Sequence, residues 1–298
     1  MINTIKITLM ALILSLPLAA YAEKIDRTID VSANGRINIE IMDGKITVEG
    51  WDKPQVRIVG EAPTDDHNFK FEARGTTTII EHAGEHGFWN QRHGGGSYAS
   101  LTIFAPRNSS FRLDSTSADY VLKNIKGQVR ADTMSGNISL EGGVDSIDLE
   151  SVSGNLSVTA ASGRLNLSTV SGTIQTDGDA DQFEAQTVSG NIRAHIGSSE
   201  RINLESVSGN INLKVELSDK ARLDADTVSG NIEIEFGKAP INASFEIETG
   251  PGGDITNLLS EHKAKDNSSF SGSMQFKLGD GDSSVNLETM SGTIKLDQ

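Results

Sequence analysis

The chain has 298 residues, of which 36% are hydrophobic and 5% aromatic, and its 30 Gly outnumber its 6 Pro. This composition favours short strands joined by glycine turns over a helical bundle or a protein with many membrane spans. The 26 Lys and Arg against 41 Asp and Glu give a net charge of −15, which argues against a nucleic-acid partner. The chain contains no cysteine, so disulfides, thiolate metal sites and cysteine nucleophiles are excluded.

The first 22 residues predict a cleavable secretory signal. Lys6 supplies the positive start, Met10–Leu18 the apolar stretch, and Ala20-Tyr21-Ala22 a small-x-small cleavage pattern. The apolar stretch is short for a spanning helix, although an uncleaved anchor is the alternative. We therefore expect a mature chain that begins at Glu23, has no transmembrane segment, and resides in the periplasm or at the cell exterior.

An internal repeat dominates the rest of the chain. The tripeptide Ser-Gly-Asn or Ser-Gly-Thr recurs, and six of its seven glycines follow one another at intervals of 18 to 21 residues. The seven are Gly136, Gly154, Gly172, Gly190, Gly209, Gly230 and Gly292. Relative to each glycine, positions −7, −5, −2, +2 and +4 are apolar with the single exception of Thr176, whereas −6, −4, −3 and +3 are polar. Weaker copies around Gly44 and Ala118 extend the array.

This template predicts two short strands per repeat, each with one buried face, because its apolar pairs are two residues apart. Strict alternation would place the next inward residue at −3, so the apolar −2 predicts a slip of phase and a corner at the tripeptide. There the glycine is expected to adopt a positive φ. All five apolar columns are expected to line the interior.

We predict an all-β fold, a single-stranded parallel β-helix or β-solenoid with about 18 residues per coil, in which equivalent residues stack about 4.8 Å apart. An antiparallel β-meander is the alternative. Stacking would explain why the polar corner repeats, since its amides could form a ladder. The amide ladder would consist of Asn137, Asn155, Asn191, Asn210 and Asn231. The predicted parts are irregular coils with a His/Gly-rich loop in 23–105, regular coils in 106–238, and an irregular coil, an insertion and a terminal coil in 239–298.

Three motifs resemble a known family. They are the segment Gly44-Lys45-Ile46-Thr47-Val48-Glu49-Gly50-Trp51-Asp52, the step Phe104-Ala105-Pro106, and the repeated Val-Ser-Gly-Asn-Ile. Over residues 25–298 the chain resembles the bacterial β-strand-repeat family of exported proteins named "putative adhesins", which is similar to head-GIN-type β-helix domains. The resemblance implies an exported, non-enzymatic β-solenoid and brings no catalytic residue with it.

Histidines cluster before residue 94. The segment His82-Ala83-Gly84-Glu85-His86 matches the H-x-x-E-H spacing of a zinc protease, but that chemistry needs a helix to bring both histidines to one face. The surrounding glycines instead predict a surface loop. His82, His86 and His93 are weak candidates for metal binding, and no cofactor is predicted beyond a divalent cation.

An acidic column is predicted on the outer face at position −4. Its acidic members are Asp132, Glu150, Glu205, Asp226 and Glu288. The column could bind divalent cations or a basic partner, or it could be a solvated face that discourages edge-to-edge aggregation. The second interpretation is favoured.

These features favour an exported, non-enzymatic structural or interaction module of the bacterial cell envelope that binds an envelope protein or glycan. The chain carries no G-x-S-x-G elbow, Walker loop or dinucleotide fingerprint. The alternative is a β-helix enzyme that acts on polysaccharide, with carboxylates or the histidine cluster supplying the chemistry.

Overall fold

The computed structural model describes residues 22–63, 69–82, 98–143, 145–159, 163–262, 265–268 and 271–298. Within these ranges the chain forms strands and no helix, so the all-β prediction is confirmed. The strands are β1 (Ala22–Asp30), β2 (Arg36–Ile41), β3 (Asp43–Trp51), β4 (Gln55–Pro63), β5 (Phe69–Arg74), β6 (Thr77–His82), β7 (Tyr98–Pro106), β8 (Ser110–Ser115), β9 (Ser117–Lys123), β10 (Val129–Thr133), β11 (Ile138–Glu141), β12 (Ser146–Ser151), β13 (Leu156–Thr159), β14 (Arg164–Thr169), β15 (Ile174–Gly178), β16 (Gln182–Thr187), β17 (Ile192–Ser206), β18 (Ile211–Ser229), β19 (Ile232–Phe236), β20 (Ala243–Thr249), β21 (Asp254–Asn257), β22 (Lys265–Ser268), β23 (Ser271–Leu278), β24 (Ser283–Ser291) and β25 (Thr293–Asp297).

The strands stack in two parallel rows. Row A contains the strands before each tripeptide corner, and row B contains those after it. In row A, Ile147 pairs with Val129 on one side and Leu165 on the other. In row B, Leu156 pairs in the same way with Ile138. The central array therefore forms a solenoid rather than the antiparallel meander. Strands β17 and β18 each run from row B of one coil into row A of the next.

The order of coils in space differs from their order in the chain at both ends. The coil β24–β25 lies between β18–β19 and β20–β21, because Val285 pairs with Leu223 on one side and Phe245 on the other. At the other end, β2 lies between β6 and β8. Antiparallel strands then cover the outermost coils, with β5 on β6, β4 on β7 and β23 on β20. Covered ends leave fewer unpaired strand edges for association with other chains.

A single hydrophobic core runs between the two rows. The residues at −7 and −5 in row A and at +2 and +4 in row B point into it, as Leu165, Leu167 and Ile174 illustrate with at most 1% exposure. Burial of such a side chain stabilises the fold by about 1.5–3 kcal/mol. Since each coil buries these residues only between its neighbours, stability depends on the stack.

The predicted slip of phase at the corner is wrong. The alternation of inward and outward side chains along the row A strand continues one step further. Thr169 at −3 is therefore buried at 2% exposure, while Val170 at −2 is 43% exposed. The hydroxyl is accommodated because it is hydrogen-bonded: Thr169 Oγ1 donates to the Gly154 carbonyl and accepts from the Gly172 amide, both at 3.1 Å. Burying a hydroxyl costs little when its hydrogen bonds are made. Hence the polar residue lies inside the corner and the apolar one outside.

The corner glycines are required by close stacking rather than by their φ angles. None of the seven has a positive φ, contrary to the prediction. A Cβ built on Gly172 would overlap the carbonyl oxygen of Gly154 in the preceding coil, and one on Gly190 would overlap that of Gly172. Any side chain at this position would therefore push neighbouring coils apart.

Candidate functional site

An exposed row of aliphatic side chains follows the corner along the rod. This row, the Met/Val ridge, consists of the residues at −2, which are between 43% and 59% exposed. Its members are Met134, Val152, Val170, Val188, Val207, Val228 and Met290. A row of exposed apolar side chains of this kind is typical of interaction sites. The ridge is the strongest candidate for a functional site among the described residues.

Backbone hydrogen bonds between coils hold the ridge in place. The Val152 amide donates to the Thr133 carbonyl at 3.1 Å, and the Val152 carbonyl accepts from the Ser171 amide at 2.9 Å. In the same way, the Val207 amide donates a hydrogen bond to the Thr187 carbonyl at 3.2 Å. The ridge side chains are therefore presented at the spacing of parallel strands, about 4.8 Å.

The asparagines on the other side of the corner form a second set of connections. Asn137 Oδ1 accepts from the Asn155 amide at 2.9 Å, and Asn155 Oδ1 accepts from the Thr173 amide at the same distance. The series continues with Asn191 Oδ1, which accepts from the Asn210 amide at 3.0 Å. Each side chain thus joins its coil to the next one, and these residues support the ridge without lining it.

The acidic column lies beside the ridge on row A. Its members stand two residues before each ridge residue, a distance of about 6.6 Å along a strand. At the N-terminal end a cation lies among the acids, because Arg130 contacts the column members Asp132 and Glu150, both at 3.3 Å, and the neighbouring Asp148 at 2.9 Å. Both column acids in this part therefore have a cation within ion-pair distance.

The C-terminal end of the column has no such cation. Glu205 pairs in register with Asp226, and Asp226 with Glu288. Across the described ranges, no lysine or arginine lies within ion-pair distance of these three carboxylates. Partial burial, together with repulsion from Glu288, Asp224 and Glu205, raises the pKa of Asp226. The uncompensated acids and the adjacent ridge residues line a shallow groove of about 530 Å³.

Asp224 shows what a cation does at a neighbouring position. Burial alone would raise the pKa of Asp224, but hydrogen bonds from Arg222 and Asn286 outweigh it and lower the pKa. Arg222 Nε lies 2.6 Å from Asp224 Oδ2. Asp224 and Asp226 are two residues apart and differ in electrostatic environment.

The histidine cluster cannot be assembled from the described residues. His82 is the last residue of β6, is 2% exposed, and has its ring 6.3 Å from that of Phe69. It therefore lies in the core rather than on the predicted surface loop, since alternation along β6 points it inward. Glu85, His86 and His93 lie outside the described residues. In the ranges that the structure covers, no group of three or more His, Cys, Asp or Glu side chains could hold a metal ion.

Comparison with known proteins identifies the family. Residues 29–297 match the family described as Toastrack DUF4097. The chain belongs to this family. The match agrees with the resemblance to exported β-repeat proteins stated above. No curated protein matches this Toastrack chain.

Several solved structures are similar to this chain. A "putative adhesin" from Parabacteroides distasonis is 13% identical over 93% of this chain and 98% of that one, with a TM-score of 0.52, which shows a shared fold. A "putative lipid binding protein" from the same species is 16% identical over 92% and 97% of the two chains, with a TM-score of 0.45. Another "putative adhesin", from Bacteroides fragilis, is 14% identical over 93% and 98%, with a TM-score of 0.40.

Within the described part of this Toastrack chain, no helix has the length and apolar character needed to cross a membrane.

The ridge of this Toastrack chain is predicted from the sequence to lie in the core, because its residues are apolar. The alternation of row A contains the signal that would have corrected it. Counting in steps of two from −7 reaches −3, where each copy has Ser or Thr, and leaves −2 outside. A strand that keeps its period can bury a small hydroxyl more easily than it can shift its phase.

Proposed function

We propose that this protein is an exported, non-enzymatic interaction module of the bacterial cell envelope. In this proposal, coils of about 18 residues form a rigid rod, and the Met/Val ridge is the surface that contacts an envelope component, either a protein or a glycan. The partner contact is made by the row as a whole rather than by a convergent pocket.

The observation that supports this proposal most directly is the exposure of the seven ridge residues. Leaving an aliphatic side chain in water forgoes the stabilisation of about 1.5–3 kcal/mol that burial provides. Here the same position is apolar and exposed in each of seven stacked coils. The inward-facing columns hold the fold together without the ridge, so the ridge is available for an external contact.

Binding to washed bacterial envelope fragments tests the proposal. The mature chain is incubated with the fragments and compared with the V188T/V207T/V228T variant, which keeps β-branched side chains but removes the apolar surface. The matched control is Q175A/R193A/N212A, which alters one outward column of row B. We expect at least a tenfold loss of retention for the ridge variant and less than a twofold change for the control.

Three results would contradict the proposal. Equal retention of the ridge variant and the wild type would remove the ridge as the contact surface. A drop in polysaccharide chain length on incubation with purified protein would instead support the enzymatic alternative. N-terminal sequencing of the protein produced in a bacterial host is expected to begin at Glu23, and a start at Met1 in the cytoplasmic fraction would argue against export.

A further inference from the structure

The two halves of the Met/Val ridge differ in the charge beside them. Along the N-terminal half, Arg130 lies within ion-pair distance of both Asp132 and Glu150. Along the C-terminal half, Glu205, Asp226 and Glu288 stack in register with no described cation within ion-pair distance. Among the described residues, the aliphatic row therefore runs beside a row of carboxylates without an ion-pair partner only in the C-terminal half.

The acidic stack extends beyond the ridge into the outermost coil. Glu288 pairs in register with Glu248 of β20, so four successive coils present a carboxylate at this column. Stacked like charges at strand spacing are unfavourable. Partial burial, together with this repulsion, raises the pKa of Asp226. A cationic group placed along the column would relieve it.

We propose that the C-terminal half of the ridge binds a basic amphipathic helix of a partner protein, which lies along the rod with its apolar face on Val188, Val207 and Val228. Lysine or arginine side chains on the adjacent face of that helix contact Glu205, Asp226 and Glu288. This inference rests on the proposed function, because it names the chemistry of the partner that the ridge receives.

Spacing favours a helix over an extended segment. Ridge residues repeat about every 4.8 Å along the rod. One turn of an α-helix advances about 5.4 Å, so the two rows diverge by only about 0.6 Å per coil. Same-face residues of an extended strand are about 6.6 Å apart and leave register after one or two coils. Three helical turns can thus follow three to four coils.

Charge distinguishes this occupant from two others. A second copy of this chain has a net charge of −15, and a ridge-to-ridge dimer would oppose two acidic columns. An anionic membrane surface would be repelled by the same carboxylates, since surface-binding segments use basic residues for attraction. A basic helix meets complementary groups in both rows, and such complementarity gives specificity and fast association.

Peptide binding to the full mature chain tests the inference. Three 14-residue peptides are compared by fluorescence anisotropy at low salt: a helix with a leucine face flanked by lysines, the same helix with glutamates replacing the lysines, and a scrambled form of the first. We expect only the lysine helix to bind, with an affinity that falls at least fivefold between 50 mM and 300 mM salt.

Two variants and a matched control assign the binding to the surface. E205Q/D226N/E288Q and V188T/V207T/V228T are each expected to weaken the lysine helix at least tenfold. The control E141Q/D177N/E235Q removes three carboxylates from one outward column of row B, and should change the affinity less than twofold. Thermal unfolding measured in parallel verifies that all three variants fold.

Several outcomes would overturn the inference. They are failure of the lysine helix to bind, equal binding of the glutamate helix, or an equal loss in the row B control. Valine-dependent binding to vesicles of phosphatidylcholine and phosphatidylglycerol, with the acids irrelevant, would assign the ridge to a membrane. Valine-dependent dimerisation in sedimentation experiments would assign it to a second copy. In each case, a ridge variant that still loses envelope retention would leave the proposed function standing.

Discussion

The inner and outer sides of the corner, one residue apart, have opposite polarity in this protein. Thr169 is buried and hydrogen-bonded between coils, whereas Val170 next to it is 43% exposed. The comparison shows that backbone alternation and hydrogen bonding decide which side chain is buried here, rather than hydrophobicity alone. The inner column holds the coils together, and the outer column is free for contacts outside the fold.

The largest effect should come from adding a side chain to a corner glycine. Gly172→Ala places a Cβ against the carbonyl oxygen of Gly154, which is backbone and cannot move without separating two coils. We expect a loss of at least about 3 kcal/mol in the free energy of unfolding, measured by urea denaturation.

A second glycine separates steric overlap from backbone strain. Gly75 has a φ of +60° and nothing within 4 Å of a built Cβ. Gly75→Ala should therefore cost only about 1–2 kcal/mol, the strain of a left-handed conformation. Equal costs at the two positions would contradict the stacking explanation for Gly172.

Removing the buried hydroxyl should have an intermediate effect. Thr169→Val loses the bond to the Gly154 carbonyl and leaves the Gly172 amide without this acceptor. A loss of about 1–3 kcal/mol is expected from urea denaturation. Thr169→Ser keeps the hydroxyl, as Ser151 does one coil earlier, and should cost about 0.8 kcal/mol for the lost methyl. A serine variant as unstable as the valine variant would refute the hydroxyl's role.

Titration of the acidic column should give a smaller effect that depends on pH. Because the folded-state pKa of Asp226 is raised above 3.8, its contribution to stability falls as the pH rises through the window above 3.8. Asp226→Asn should therefore stabilise the protein by about 0.5 kcal/mol at pH 7, and this gain should vanish near pH 3.

Asp224 provides the comparison of opposite sign. Its pKa is lowered below 3.8, so its contribution is present at neutral pH and is lost as the pH falls below 3.8. Asp224→Asn should destabilise the protein at pH 7, and the loss should be smaller near pH 3. Unfolding of both variants at the two pH values measures this, and the same sign for both would contradict the electrostatic assignment.

The smallest effect is expected on the ridge. Val170→Thr changes an exposed side chain and should alter the free energy of unfolding by less than about 0.5 kcal/mol. Leu167→Ala, three residues earlier and fully buried, should cost about 2–5 kcal/mol. A large loss for Val170→Thr in the same denaturation experiment would mean that the ridge serves the fold itself.

Part of this architecture could be read from the sequence, because the repeat places equivalent residues at equal intervals. Leu165 and Leu167 were assigned inward, and the structure buries both. The error at Thr169 and Val170 arose from treating apolar character as burial, although the period of the strand already excluded it. His82 was missed for a similar reason, since its motif suggested chemistry and its strand position determined its burial.

The spatial order of the coils could not be read from the sequence. Gly44 marked a good copy of the template, but nothing local indicates that β2 lies between β6 and β8. The acids of the acidic column could be identified in the sequence. Their contact with Arg130, which occurs at one end of the column, depends on which coils are neighbours. Non-local pairing determined both features.

The position of coil β24–β25 has a consequence for how the rod is completed. Synthesis delivers residues from the N-terminus onward, so β20–β21 emerges before the strands that separate it from β18–β19. Until Ser283 and the residues after it have been made, β18 lacks its row A neighbour β24. During that time β20–β21 also lacks the coil on which it stacks. The coil β24–β25 is thus inserted between two coils that have both been made before it.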